Sequence, residues 1–495
     1  MTRLGAIALA VSLAARVPAT AAGGTASIDP RVRAFRLPNG LQIIVAVRPE
    51  LRLVALNLTV NVGAIDDPPG RSGIAHLLEH VTLSGSTTIG SLDPEAEGAA
   101  LRVLDRAYAA LESERSKQEP SSTVLVGLER LFEDSQRAAQ LTCESGEILG
   151  GRLEAQGAVG LNATTTVDTT HFFTWMPAAH LELWISLEAD RLRRPVLRRF
   201  YGERNVVLRE IAALTRGTPM PQERFVQEIF GLPQAQSLAG DPQQVAAIDR
   251  PTALEHFRRY YRPENVVVGV VGNVDPDEVH RLCARYFGDW RPGSENATDS
   301  LPIPPRRTAP TQPRIKVMGS ARSPLVFIAL PRPVGADSAA VDAVAELINS
   351  EDLSLLRRRL VEQQSLAWNV GAAAEYPSQK QPSVFLLRVY GNPGVPHQRL
   401  VQETLSLLKE VDAGADEDIE GAIRAAELRV AAQLDDAPTL AAMLANSQAM
   451  YGDWSRPFHH FEALRRLRAR DVREAARQLF QGLPRQAESS ADDGR

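Results

Sequence analysis

The pentapeptide His76-Leu77-Leu78-Glu79-His80 constrains both the fold around it and the chemistry it can carry. On a helix, residues four apart share a face, with Cβ atoms about 5–6 Å apart. His76 and His80 therefore point the same way, while Glu79 is offset from both. Two imidazoles at that spacing can converge on one Zn2+ through bonds of about 2.0–2.1 Å. A water in the open coordination position would have its pKa lowered to about 7. Glu79 is placed to take the proton of that water and later hand it to a leaving amine. Leu77 and Leu78 make the helix partly buried, and two neutral histidines beside a glutamate in such a setting need a reason. A third ligand on another rigid element would complete the site.

Upstream of the motif, Val32 to Val47 reads as a hairpin, with two apolar runs flanking Pro38-Asn39-Gly40. Leu53 to Val62 alternates, placing Val54, Leu56, Leu58, Val60 and Val62 on one strand face. A turn-rich segment from Asp66 to Gly70 leads into the motif helix, which begins near Ser72. Downstream, residues from about Asp93 to Leu149 are helical in character and broken once, at Pro120-Ser121-Ser122, which predicts an inserted helical hairpin. A strand-like stretch from Gly160 to Trp175 follows, then helices over Ala178–Leu192, Tyr201–Thr215 and Leu254–Tyr261. Asn265 to Gly272 reads as a buried strand whose glycines serve packing, since they lack the spacing of a phosphate loop. Pro276 to Phe287 is a further helix.

Six prolines between Arg291 and Pro313 give that stretch the composition of a linker. Beyond it the plan repeats faintly: a strand over Leu325–Leu330, helix over Ser338–Val361, a strand over Val384–Tyr390, then helices. Asp471–Phe480 echoes Asp277–Phe287 near the end of each half, as a duplicated unit would. The expected fold class is α+β, with two homologous domains over 30–290 and 314–485, each a mostly antiparallel sheet with helices packed on one face. The linker is 291–313, the insertion about 93–149, and the polar tail 486–495 is expected to be disordered.

A chain of 495 residues exceeds what one core normally organises. Its 44% hydrophobic and 23% charged residues are those of a globular protein, and a formal net charge of -5 offers no basis for binding nucleic acid. Residues 1–21 read as a signal peptide: Arg3, an apolar run from Leu4 to Ala15, and small residues at Ala19 and Ala21. Export, to a bacterial periplasm, is the expectation, with no membrane span once the signal is removed. Cys143 and Cys283 allow one disulfide or two buried thiols and exclude a CxxC zinc site. The five arginines from Arg191 to Arg199 read as a solvated helix end, and His171 reads as structural.

Glu203 and Glu210 lie seven apart, about two helical turns, so they share a face. Val206, Val207 and Leu208 bury part of that helix, and two buried carboxylates need a cation or donors. Zinc at one and a histidine N–H at the other would satisfy both; a solvated glutamate face beside Arg204 and Arg209 is the alternative.

His76-Leu77-Leu78-Glu79-His80 followed by Ser84-Gly85-Ser86, together with Glu203-Arg204-Asn205-Val206-Val207-Leu208-Arg209-Glu210, resembles the signature of the insulinase, or pitrilysin, metallopeptidases. The resemblance implies Glu210 as third zinc ligand and Glu203 as support for the site, with one Zn2+ per chain. Gly160-Leu161-Asn162-Ala163-Thr164-Thr165 resembles the family's substrate strand, on which an extended peptide pairs along the edge beside Asn162 and Ala163. Val361 and Trp368 fall where family members often carry the Arg and Tyr that reach the substrate carbonyl. Valine cannot donate to a developing oxyanion, and tryptophan offers only its indole N–H. As a half-sized, two-domain chain it resembles the zinc-bearing subunit of the mitochondrial processing peptidase. A homologous partner chain, in a heterodimer or homodimer, would then close a chamber around an unfolded peptide and supply Arg and Tyr. The expected function is a zinc-dependent endopeptidase; the alternative is a non-catalytic metal-binding scaffold or partner subunit of a peptidase complex.

Overall fold

Asn39 and Gly40 turn the first hairpin, joining β1 (Val32–Arg36) to β2 (Gln42–Val47). Gly40 has a φ of +96°, and the Asn39 amide donates to the carbonyls of Phe287 and Trp290, pinning the turn to the far end of the same half. The computed structural model describes residues 31–146, 148–215, 221–230, 239–291, 308–319, 324–332 and 338–484. The expected signal peptide, the tail and most of the linker lie outside these residues.

β3 (Leu53–Val60) sends Val54, Leu56, Leu58 and Val60 into one core. The motif lies on α1 (Ile74–Thr82). The expected helical hairpin is α2 (Pro94–Arg115) and α3 (Ser122–Gln140), started by Asp93 and Ser121, whose side chains accept backbone N–H groups of the first turn. After α4 (Ile148–Glu154), the single strand expected over 160–175 is instead a hairpin, β4 (Val159–Thr165) and β5 (Thr170–Pro177). Its turn carries no glycine or proline; the Thr166 hydroxyl accepts from the N–H groups of Asp168 and Thr169, at 3.1 and 2.9 Å. Helices α5 (Leu181–Arg193), α6 (Phe200–Thr215), α7 (Pro221–Ile229), α8 (Pro242–Ala247) and α9 (Arg250–Tyr260) precede β6 (Val266–Gly272) and α10 (Pro276–Phe287). The sheet order is β1-β2-β6-β3-β5-β4, and only the β2–β6 pair is parallel. β4 is thus an edge strand, and α1 packs against it.

The second half begins with β7 (Arg314–Met318) and β8 (Leu325–Pro331). The helix expected over 338–361 is interrupted: α11 (Ser338–Asn349) ends, and the chain re-enters helix at α12 (Leu355–Arg357), capped by Ser354 and continued by a π turn. β9 (Ala367–Tyr376) and β10 (Val384–Gly391) complete a four-stranded antiparallel sheet of order β7-β8-β10-β9. β7 and β9 escaped the sequence reading because β7 is short and partly exposed and β9 has the small run Gly371-Ala372-Ala373-Ala374. Helices α13 (His397–Leu408), α14 (Asp416–Asp435), α15 (Ala437–Tyr451), α16 (Arg456–Arg466) and α17 (Ala469–Phe480) follow.

Each sheet carries its own half's helices on one face, and a helix from the other half covers the opposite face. α15 lies on β3 and β6, where Ala437, Ala441 and Ala445 recur every fourth residue. Gly269 makes this approach possible, since a Cβ there would lie 2.5 Å from the Ala441 carbonyl oxygen. In return α7 places Phe225, Val226 and Phe230 against Phe327, Ala329, Val384 and Leu386, with Phe225 stacked on Phe327 at 5.2 Å. Two cores are thereby interlocked, so the halves hold a fixed relation.

Candidate metal centre

α1 begins at Gly73, which has a φ of +92° and no side chain to cap the helix. The buried carboxylate of Asp67 takes that role, accepting the N–H groups of Gly73 at 2.6 Å and Ala75 at 3.1 Å. A negative charge at a helix N-terminus offsets the helix dipole, even though burial pushes this carboxyl well above its usual range.

The helix sets the rings of His76 and His80 edge to face, with centroids 5.0 Å apart. His76 Nδ1 lies 3.2 Å from the Ala239 carbonyl, which can only accept, so Nδ1 carries the proton and Nε2 presents a lone pair. Burial, reinforced by His80, holds His76 down at about 4, so it is neutral at ordinary pH. Glu210 on α6 brings its Oε2 to 3.7 Å from His76 Nε2 and 3.4 Å from His80 Nε2. Glu203, two turns earlier, lies 3.7 Å from His80 Nδ1. Burial opposes charge on His80, but Glu203, Glu210 and Glu79 outweigh it and raise His80 to about 10. For Glu210, burial acts upward, yet the two histidines and Arg209 bring its carboxyl below the ordinary value.

These donors suit a zinc ion. His76, His80 and Glu210 offer ligand atoms that all lie within 4.8 Å of one another. In a zinc tetrahedron the donors stand about 3.3 Å apart, close to the 3.4 and 3.7 Å found here around the Glu210 oxygen. A neutral His76 lone pair facing the half-buried carboxylate of Glu210 is two acceptors with no proton between them, an arrangement that a cation relieves. Two imidazoles and one carboxylate form a donor set that leaves a fourth position open.

Glu79 projects toward β4. Burial raises its pKa, while the Thr165 hydroxyl and backbone N–H donate to it and act the other way. The Thr165 N–H therefore points away from β5, and by the two-residue period of a strand so does that of Ala163. Ala163 N–H is indeed taken by the side chain of its neighbour Asn162, at 2.9 Å. Asn162 is exposed, and β4 pairs only with β5, through Asn162↔Phe173 and Ala163↔Phe172. Among the described residues, no strand pairs with the outer edge of β4 beside Glu79.

The second half repeats this geometry without its chemistry. There α11 packs on edge strand β9, and Asn349 both accepts from Ala372 N–H and donates to its carbonyl, at 2.7 and 3.0 Å. An amide stands at the strand edge where the first half has a carboxylate. Val361 is partly buried against the second core, and Trp368 is 56% exposed, tilted against Tyr390 with ring centroids 5.0 Å apart.

The arginine run differs from the expected solvated helix end. Arg198 is buried and clamps the segment after the motif, donating to Glu97 and to the carbonyls of Ser84, Ser86 and Ile89. Arg191 is buried with Glu188 and lies over the Phe172 ring at 4.0 Å. His171 sits between the hydroxyls of Thr59 and Thr169 at 3.0 and 2.9 Å, a structural setting. Both cysteines are buried free thiols. The α2–α3 hairpin buttresses the Glu210 helix: Tyr108 and Phe132 pack on Tyr201, and Arg204 donates to the Tyr108 hydroxyl at 2.6 Å. Thr165 and Ala239 carry no signal in the sequence, because each acts through a partner remote along the chain, and Asp67 reads there only as part of a turn, because it caps α1 from six and eight residues away.

Residues 43–110 match the family described as insulinase (peptidase family M16), and residues 247–426 match its companion, the peptidase M16 inactive domain. Zinc protease PqqE of Helicobacter pylori is 25% identical over 398 residues, which cover 78% of this chain and 76% of that protein. An uncharacterized zinc protease of Mycobacterium leprae is 27% identical over 258 residues, 51% of this chain but only 45% of its own length. Among solved structures, a protease from Helicobacter pylori superposes with a TM-score of 0.70 at 20% identity, covering 92% of this chain and 97% of that one. The periplasmic protease PqqL from Escherichia coli superposes with a TM-score of 0.57 at 16% identity, over 92% of this chain and 47% of that one. The chain belongs to the insulinase, or pitrilysin, family, and its fold is the two-domain fold of that family. Among the described residues no helix is long and apolar enough to cross a membrane.

Proposed function

We propose that the chain is a zinc-dependent endopeptidase acting on peptides or unfolded polypeptides. The observation that carries this reading is the juxtaposition of three convergent donors with a carboxylate tied to an open strand edge. His76, His80 and Glu210 would hold one zinc ion per chain, and Glu203 would orient His80 through its Nδ1. Bound zinc supplies Lewis acidity, polarising a carbonyl and lowering the pKa of water to about 7.

The remaining work falls to the chain itself. The β4 edge would take an extended substrate by backbone pairing, with the Asn162 side chain giving up the Ala163 N–H to a substrate carbonyl. Glu79 would remove a proton from the attacking water and return it to the departing nitrogen. Val361 and Trp368 supply no charged donor for the oxyanion. A homologous partner chain would supply Arg and Tyr across a closed chamber, in a hetero- or homodimer. Residues 1–21 would direct the chain to the periplasm.

The test is zinc content and hydrolysis of an unfolded polypeptide by the purified chain, alone and mixed with a related chain that carries Arg and Tyr. Zinc near one per chain, with chelator-sensitive cleavage in either preparation, is the expected result. Zinc without cleavage under any pairing would favour a metal-binding scaffold instead. Ala163→Pro examines the substrate edge separately. The N–H it removes is not used in pairing with β5, and proline is tolerated on edge strands. The loss of one backbone hydrogen bond to substrate should raise KM about five- to tenfold, and steady-state kinetics with a short peptide would show an unchanged KM if the edge is unused.

A further inference from the structure

Asp168, in the turn between β4 and β5, is a buried carboxylate whose hydrogen-bond donors come from the other half of the chain. It accepts from the Ser378 hydroxyl at 2.5 Å and from the N–H groups of Gln379 and Lys380 at 2.8 and 3.2 Å, all on the loop joining β9 to β10. Ser378 is itself buried, and its oxygen also accepts from the N–H groups of Lys380 and Gln381, both at 3.2 Å, so the loop is shaped around the carboxylate. Hydrogen bonds to an ionised acceptor are roughly twice as strong as neutral ones.

From the same loop the Lys380 ammonium crosses to the Asn61 carbonyl and to Asp66 Oδ2, each at 3.0 Å. Asp66 in turn accepts the Gly63 N–H at 3.0 Å. This 63–66 segment is bound to the hairpin turn, since Ala64 and Ile65 N–H donate to the carbonyls of Thr166 and Val167 at 3.1 and 2.9 Å. Gly63 lies so close that a Cβ would stand 2.5 Å from the Val167 oxygen. One residue further is Asp67, which caps α1. Just before the turn is Thr165, which donates to Glu79. The helix that carries Glu79 and the strand that tethers its carboxylate therefore meet at one junction, and the second half is joined to it through Asp168 of the turn and Lys380 of its own loop.

We propose that Asp168 and Lys380 are positioning residues for Glu79, through which the half lacking metal ligands sets the geometry of the half that has them. This rests on Glu79 being the base. A base displaced by a fraction of an ångström loses rate without losing substrate.

Asp168→Asn keeps the shape but cannot accept from the three donors in the same way, and Lys380→Met keeps the stem but removes the charge. Each is made in the full chain, with kinetics on an unfolded peptide, zinc content, and hydrogen exchange over residues 63–82 and 159–177. The expected result is kcat lower by about ten- to a hundredfold with KM little changed, zinc retained, and faster exchange confined to those two segments. Unchanged kcat, or loss of zinc in step with kcat, would overturn the proposal. So would faster exchange throughout both halves, which would mark the junction as general stabilisation. If the wild type cleaves no peptide, it is the reading of Glu79 as base that fails. Exchange at 63–82 and 159–177 then still decides whether the junction holds α1 and the hairpin together.

Discussion

Glu79→Gln is expected to lower peptide hydrolysis by about 10²–10⁴-fold, the range supplied by a positioned general base, while zinc content stays at the wild-type level. The substitution is nearly isosteric, and the amide oxygen can still accept from the Thr165 hydroxyl and N–H, so the side chain has no reason to leave the strand. What it loses is the capacity to take a proton. The three proposed ligands are other residues, so metal and chemistry separate cleanly in this variant. In metal-free protein the fold should be no weaker. Burial raises the Glu79 pKa, so its protonated form is favoured on folding, and the associated stability is lost as pH rises through the raised value. Glutamine mimics the protonated form and escapes that loss. Metal analysis, steady-state kinetics and thermal unfolding of the chelated protein check the three expectations; retained activity would remove Glu79 from the mechanism.

The local parts of this arrangement are legible in the sequence because they are periodic. The alternation from Val54 to Val60 marks one strand face, and the His76–His80 spacing marks one helix face. Caps such as Asp93, Ser121, Asp249 and Asp275 stand where helices begin. Contacts that cross the chain leave no such trace. Ala239 orients His76 with a backbone carbonyl, a group every residue possesses. Asp67 caps α1 from six and eight residues away, so no adjacent capping residue announces the helix. Arg198 looks like any surface arginine until Glu97, on a helix 101 residues earlier, is found to pair with it under the motif loop. Thr166 turns the β4–β5 hairpin with a hydroxyl where glycine or proline is the usual signal, so two strands read as one.

The exchange of helices between the halves bears on the same site. α7 follows the Glu210 helix and docks on the second sheet, and the chain returns to Ala239 at His76. α15 from the second half covers the first sheet and brings Asn446 to Thr169, the last residue of the hairpin turn. Each half thus lends a helix to the other's sheet, and the second half's helix reaches the hairpin whose first strand lies beside Glu79. That is a structural use for a domain in which an amide, Asn349, stands where the first half carries the carboxylate of Glu79.

Glu210→Gln should abolish stable zinc binding, and comparison with Glu203→Gln shows which carboxylate is the ligand. Both glutamates approach His80, Glu210 at Nε2 and Glu203 at Nδ1, so proximity to a histidine does not rank them. Position relative to His76 does: the Glu210 oxygen is 3.7 Å from His76 Nε2, and that imidazole is neutral with its lone pair turned inward. Among the described residues, Glu210 is the one that closes a three-donor set with His76 and His80. Glu203 touches the side of His80 remote from the shared centre, where a carboxylate fixes the ring and its tautomer. Loss of such support costs about 10–100-fold in metal affinity, whereas loss of a ligand leaves two donors and should exceed that range. Titration of each chelated variant with zinc against a competing chelator reads both affinities, and the Glu210→Gln protein should remain folded. The alternative of a merely solvated glutamate face predicts wild-type affinity for both variants. A larger loss in Glu203→Gln than in Glu210→Gln would exchange their roles.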